Sequence, residues 1–168
     1  MSETPQQYQA RILALGDAQD PWSVLRSTAA RLREVIDRNA ATVIDRRPAP
    51  HRWSIREIIA HLSDAEVVFA YRVRIMIATP GATIHAFDQN EWAAGMQYDR
   101  VDPAGAVDRF AVLRRGNLEL IERLPDLEAA YGMHEERGRE SAALFVRLYA
   151  GHDRNHLNQI DAILNGTR

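Results

Sequence analysis

The chain has 168 residues, of which 46% are hydrophobic and 26% are charged, and its formal net charge is −2. This composition is typical of one globular domain with one core, and the slight acidic excess argues against nucleic-acid binding. The absence of Cys excludes disulfides, thiolate metal sites and a cysteine nucleophile. All 21 residues in the Lys and Arg count are Arg, and without Lys the chain can form neither a Schiff base nor a Walker-type phosphate loop.

The start of the chain and its apolar runs bear on location. No apolar run reaches the length of a membrane span, and the polar start MSETPQQYQA lacks the pattern of a signal peptide. We therefore expect a cytoplasmic enzyme or binding protein that has no membrane or nucleic-acid partner.

Four segments with helix start signals and apolar periodicity predict an all-α fold in a single domain, residues 1–168. Asp20 and Asp102 are N-cap residues that are each followed by Pro. Ser54 and Glu57 form a capping box, and Gly166 is a suitable C-terminal cap. The four predicted helices are residues 20–42, 54–78, 103–124 and 141–165.

The segments between these helices indicate how they are arranged. Residues 1–19 are mixed in character and are expected to form a loosely attached arm. The link at 80–101 is long enough to run back along a bundle and can hold a short helix at 87–94, so the second and third helices should be parallel, as in bundles with crossover connections. Strand signals are weak throughout, and a sheet of three or more strands would contradict this fold.

Two histidines, His152 and His156, are one turn apart on the apolar side of the fourth helix. His61 occupies the buried side of the second helix. Three imidazoles that converge in a bundle core would bind one divalent ion and leave positions open for water or substrate. The alternative is that each histidine only forms a local hydrogen bond, since such pairs are common on amphipathic helices.

Several polar residues could support such a site. Glu57, Asp64 and Asp153 are close in sequence to these histidines and could orient their rings, although Glu57 can equally act as a cap. In the long link, Asp88, Gln89 and Trp92 could line a substrate pocket; the alternative for Trp92 is simple packing of the link. No catalytic residue is assigned from the sequence.

The remaining polar positions receive structural interpretations. Glu66 lies among apolar neighbours, which predicts a buried ion pair with an Arg. Arg72 is three turns from His61, about 16 Å along the helix axis, and is too far away to touch a metal there. The other histidines are expected in solvated loops, at His51, His85 and His134.

Three motifs together resemble the DinB/YfiT superfamily of metal-binding four-helix bundles. They are HRWSIREIIAHLSDAE at 51–66, FDQNEWA at 87–93 and GHDRNHLNQI at 151–160. The resemblance extends from about residue 12 to 164. It implies an up-down-down-up bundle whose metal ligands are His61, His152 and His156.

The resemblance implies a metal-dependent enzyme, most simply a thiol-dependent S-transferase that acts on small electrophiles. Zn or Ni would be the ion, with a low-molecular-weight thiol as cosubstrate, because the chain has no thiol of its own. The alternatives are a metal-dependent hydrolase and a non-catalytic, stress-associated metal-binding protein. A homodimer is also expected, and metal affinity should fall below about pH 6.5 as the imidazoles take up protons.

Overall fold

The computed structural model describes residues 3–166 and contains seven α-helices over that range. The helices are α1 (Pro5–Gly16), α2 (Pro21–Arg38), α3 (Ala41–Ile44), α4 (Ile55–Ala78), α5 (Gln89–Gly95), α6 (Pro103–Glu122) and α7 (Ala142–Leu164). The strands are β1 (Ala82–Ile84), β2 (Tyr131–His134) and β3 (Gly138–Ser141), and a 3₁₀ turn lies at Tyr98–Arg100. No helix among these residues is long and apolar enough to cross a membrane.

The long helices α2, α4, α6 and α7 form a four-helix bundle. Helices α4 and α6 are parallel. At the start of α4, Arg56 donates to the carbonyl of Val101, just before α6, at 2.6 Å. Further along both helices, Arg74 donates to the side chain of Asn117 at 3.2 Å. The parallel arrangement expected from the long link is therefore confirmed.

Helices α2 and α7 run opposite to this pair. Along α2, Arg26 pairs with Glu122 near the end of α6, whereas Arg33 pairs with Asp108 near its start. Helix α7 is also antiparallel to α4, because its N-terminal half contacts the second half of α4 through Phe69. The bundle has the up-down-down-up topology that the resemblance implies.

A polar layer divides the core of the bundle into two apolar clusters. In this layer the Arg114 guanidinium bonds to Glu66 at 2.8 Å and to Asp153 at 2.6 Å. It also donates to the carbonyl of Leu25 at 2.9 Å, and Asn117 donates to Glu66 at 3.0 Å. The Arg predicted to pair with Glu66 is therefore Arg114, and all four helices of the bundle contribute a group to this layer.

The expectation of a loosely attached arm is wrong for residues 5–16, which form α1 and pack along α7. The helix starts with a capping box between Thr4 and Gln7. Two glycines then allow close backbone contact: a Cβ on Gly151 would lie 1.9 Å from the carbonyl oxygen of Ile12, and one on Gly16 would also clash with α7. Residues 1 and 2 of the predicted arm lie outside the described residues.

The expectation that no three-stranded sheet would form is also wrong. Strand β1 pairs in parallel with β2, and β2 pairs antiparallel with β3. Each strand has only three or four residues, too few for an alternating pattern to show in the sequence. The sheet packs at one end of a fold that stays a helical bundle.

The largest change in bounds concerns the first predicted helix. The first predicted helix, residues 20–42, is interrupted because Asn39 is extended, with φ −123° and ψ 140°; the chain then forms the short α3. The short helix predicted at 87–94 is present as α5.

Candidate metal centre

Three imidazoles from two helices meet inside the bundle. His61 projects from α4, and His152 and His156 project from α7. The Nε2 atom of His152 lies 3.0 Å from that of His61 and 3.2 Å from that of His156. The ring centroids are 4.5–5.1 Å apart, so the rings are close enough to share one ion.

The local sequence holds these rings in place. The capping box of Ser54 and Glu57 fixes the start of α4, less than two turns before His61. The Trp53 ring lies 4.9 Å from the ring of His61 and stacks at 6.3 Å on that of His156. Trp53 therefore covers one side of the cluster, a role that the sequence analysis did not assign.

Burial keeps the three rings neutral. Loss of solvent lowers the pKa of His61 and of His152 well below the ordinary value for histidine, and each is lowered further by neighbouring histidines. Burial also lowers the pKa of His156 to about 4. Near neutral pH each ring therefore has a lone pair available for a metal.

One of the three rings also has a hydrogen-bond partner outside the histidine cluster. The Nδ1 atom of His156 lies 3.0 Å from the side-chain oxygen of Gln159, a distance at which Nδ1–H donates. This bond fixes the tautomer and leaves the lone pair of Nε2 directed to the cluster. The sequence did not indicate this role for Gln159, although the residue lies in the third motif.

The donor set fits a divalent ion. Hydrogen bonds alone would satisfy the three imidazoles poorly. The Nε2 of His156 carries no hydrogen, and a single N–H group cannot form good hydrogen bonds among three converging nitrogens. The Nδ1 of His152 is buried and has no hydrogen-bond partner in residues 3–166. An ion at about 2.0–2.1 Å from each Nε2 would place these nitrogens about 3.0–3.4 Å apart, which matches the two measured distances.

The carboxylates predicted to orient the rings have other partners. Glu57 accepts from the backbone N–H of Ser54 at 2.8 Å, the capping alternative. Asp64 accepts from the hydroxyl of Tyr98 at 2.8 Å. Asp153 forms the ion pair of the polar layer. Within residues 3–166 none of the three accepts a hydrogen bond from an imidazole, because each carboxylate is bonded to another group.

A cavity of about 410 Å³ borders His61 and His152. Asp88 and Gln89, predicted to line a substrate pocket, lie in the wall of this cavity, and Asp88 also caps α5 through two backbone N–H groups. Trp92 is not part of the cavity wall; its ring packs 4.7 Å from that of Phe87, which is the packing alternative.

The remaining histidines divide into two groups. His51 and His85 are exposed, as predicted. The expectation of a solvated loop is wrong for His134, which lies in β2, is 3% exposed and lines the same cavity. Pairing of β2 with strands on both sides buries it, a contact that sequence spacing does not reveal.

Comparisons with known proteins agree on one family. The model of the DinB superfamily matches residues 25–160. The chain is 21% identical over 157 residues to "Putative metal-dependent hydrolase YfiT" of Bacillus subtilis (strain 168), covering 92% of this chain and 88% of that protein. It is 26% identical over 113 residues to "Putative metal-dependent hydrolase OB0782" of Oceanobacillus iheyensis, covering 66% of this chain and 64% of that protein.

A solved structure shows the same fold. It is described as "YfiT from Bacillus subtilis is a probable metal-dependent hydrolase with an unusual four-helix bundle topology". The TM-score is 0.78 at 18% sequence identity, with 96% of this chain and 88% of that chain covered.

Proposed function

This chain belongs to the DinB superfamily, and we propose that it is a metal-dependent hydrolase of small molecules. The observation that carries the proposal is the group of three neutral imidazoles at the edge of a cavity, of which His61 and His156 are buried and His152 is partly exposed. Three protein ligands leave positions open on an ion, which is typical of catalytic and not of structural zinc sites. The names of the relatives point to the same class of reaction.

The chain's own residues provide the binding of the ion. A divalent ion held there supplies a Lewis acid that lowers the pKa of a coordinated water toward 7. His61, His152 and His156 hold it without adding negative charge, so its full charge acts on the substrate. Gln159 orients one ring, and Trp53 packs against the rings of His61 and His156. Imidazole ligands suit Zn or Ni, and we propose one of these as the native ion.

The thiol S-transferase favoured in the sequence analysis stays a prediction. The same ion could hold a thiolate, but no contact in the described residues singles out a thiol. We place the hydrolase first, because it needs only water as the second reactant and because the relatives carry that name. A purely structural role for the ion is less favoured, since the ligands border a cavity.

The test combines metal analysis with an activity panel. Purified protein is loaded with Zn²⁺ or Ni²⁺ and measured by mass spectrometry, then assayed on p-nitrophenyl esters, anilides and phosphate esters with and without added thiols. We expect one ion per chain and turnover without thiol. His156→Ala should lose the bound ion and the turnover but keep its helical circular dichroism. The exposed control His51→Ala should keep the ion, the turnover and the circular dichroism.

Each other outcome is informative. Turnover that requires a thiol would replace the hydrolase with the S-transferase. Stoichiometric metal without turnover on any arm of the panel would favour a binding protein. Failure of the wild-type protein to retain an ion would overturn the metal site itself.

A further inference from the structure

The end of the cavity remote from the histidine cluster contains polar groups that the proposed reaction does not use. We propose that Arg72, His134 and Tyr149 form a carboxylate-binding subsite, so that the substrate is a small molecule with a carboxylate at the end remote from the reacting bond. All three residues line the cavity that borders His61 and His152. The proposal rests on the proposed function for the reaction, but the binding it describes can be measured separately.

Arg72 is a buried cation in the wall of this cavity. Its side chain projects from α4, the residue is 8% exposed, and its guanidinium lies 5.6 Å from the ring of Phe87. One N–H donates to the backbone carbonyl of His85. Within residues 3–166 Arg72 forms no ion pair with a carboxylate. Burying a cation in this way is unfavourable unless a ligand completes the pair.

His134 supplies an unused donor. The backbone N–H of Glu136 donates to its Nδ1 at 3.1 Å, so a neutral ring must carry its hydrogen on Nε2. Burial lowers the pKa of His134 and keeps the ring neutral near pH 7. Nε2 is buried and has no hydrogen-bond partner among the described residues. An oxyanion in the cavity would accept from this N–H.

Tyr149 connects this subsite to the histidine cluster. Its ring lies 6.1 Å from that of His152 and stacks at 4.0 Å on that of Phe69. Its hydroxyl has only a long contact of 3.5 Å, with the carbonyl of Ala65, and is free to turn to a ligand. Tyr149 therefore offers a third donor on the cavity wall that His152 and Arg72 also line.

The spacing along α4 sets the length of the ligand. Arg72 follows His61 by eleven residues, an axial rise of about 16 Å. Helical side chains lean toward the N-terminus, which brings a long guanidinium back by several ångströms. We expect the carboxylate to lie about 10 Å from the reacting bond, the length of a short acyl or aryl chain.

The charge of the cavity favours a monoanion. Its other charged side chains are paired, act as caps or are exposed to solvent: Arg137 pairs with Glu140 at 2.6 Å, Glu3 pairs with Arg11 at 2.8 Å, Asp88 caps α5, and Glu136 is exposed. One buried positive charge then remains uncompensated. It matches a carboxylate, whereas a phosphate dianion would leave a net negative charge in the cavity.

The test measures binding to the metal-free protein, in which the histidine cluster is neutral and cannot attract the probe. Hexanoate, its neutral analogue hexanamide and inorganic phosphate are titrated and followed by NMR. We expect hexanoate to bind at least tenfold more tightly than either of the others. Arg72→Gln should remove this preference, and the exposed control Arg115→Gln should retain it.

A second variant tests the proposal independently if Arg72→Gln does not fold. Tyr149→Phe keeps the packed ring and should weaken hexanoate binding several-fold without changing hexanamide binding. Equal affinity of the wild-type protein for hexanoate and hexanamide would overturn the proposal, and tighter binding of phosphate would overturn the choice of carboxylate. Because no metal or turnover is needed, these results stand apart from the test of the hydrolase.

Discussion

Replacing Arg114 with Met tests the polar layer that divides the core. The guanidinium donates to Glu66, Asp153 and the carbonyl of Leu25, and its side chain is only 4% exposed. Met retains much of the apolar volume but leaves two buried carboxylates without their cation. Removing one partner from a buried ion pair costs about 3–5 kcal/mol. We therefore expect the free energy of unfolding to fall by about this amount, and Tm to fall by about 10–15 °C.

Chemical denaturation followed by circular dichroism measures this loss. The matched control is Arg115→Met on the exposed side of the same helix, which should change the free energy of unfolding by less than about 0.5 kcal/mol. Burial raises the pKa of Glu66; acid therefore neutralises this carboxylate early, and the penalty of Arg114→Met should shrink as the pH falls. A loss below about 1 kcal/mol at pH 7 would refute the reasoning.

A compensated variant separates charge from packing. Adding Glu66→Leu and Asp153→Leu to Arg114→Met removes both uncompensated carboxylates, and replacing buried ions by apolar side chains is often neutral or stabilising. We expect this triple variant to recover most of the lost free energy of unfolding. If it is no more stable than the single variant, lost packing and not unpaired charge explains the effect.

The remaining predictions concern the ion, α1 and the oligomeric state. Protons compete with the ion only below the pKa of the folded imidazoles, and burial lowers that pKa. Zinc affinity, measured against a chelator, should therefore stay constant down to pH 6.5 and decline at more acidic pH. A decline that starts above pH 6.5 would contradict this prediction. Gly151→Ala should push α1 off α7 and speed proteolysis within residues 5–16, whereas Gly116→Ala, with open space around it, should not. A homodimer stays a prediction: Val67 and Tyr71 are exposed one turn apart on α4, and light scattering that shows only a 19.0 kDa species would contradict it.

Local signals account for what the sequence predicted well. The caps at Asp20, Ser54 and Asp102 depend on side chains within three residues of the helix start, and all three are present in the structure. The convergence of the histidines follows from helical periodicity together with the choice of buried faces. The parallel pair of helices could be predicted because the length of one link limits the topology.

Contacts between distant segments account for what the sequence missed. Helix α1 is held by the approach of Gly16 to Gly151, and neither glycine is distinctive without the other. The burial of His134 depends on β2 pairing with β1, about fifty residues earlier in the chain. Carboxylates near the ligands in sequence were expected to orient them. Glu57 and Asp64 have the right helical spacing from His61 but are bonded to Ser54 and Tyr98. Gln159, three residues after His156, orients one ring instead.

The placement of α1 has a consequence for access to the cavity. This helix supplies part of the cavity wall through Tyr8, Gln9 and Ile12. It packs mainly on α7, and outside α7 Gln6 and Gln9 donate hydrogen bonds to Glu136 and Glu140. Opening the wall therefore breaks one helix–helix interface and leaves the four-helix bundle intact. The backbone amides of α1 should therefore exchange their hydrogens through a local opening. The free energy of this opening should be lower than that for the amides of α4 or α7. A ligand could then enter and leave at a rate set by the docking of one terminal helix, independently of the global stability of the protein.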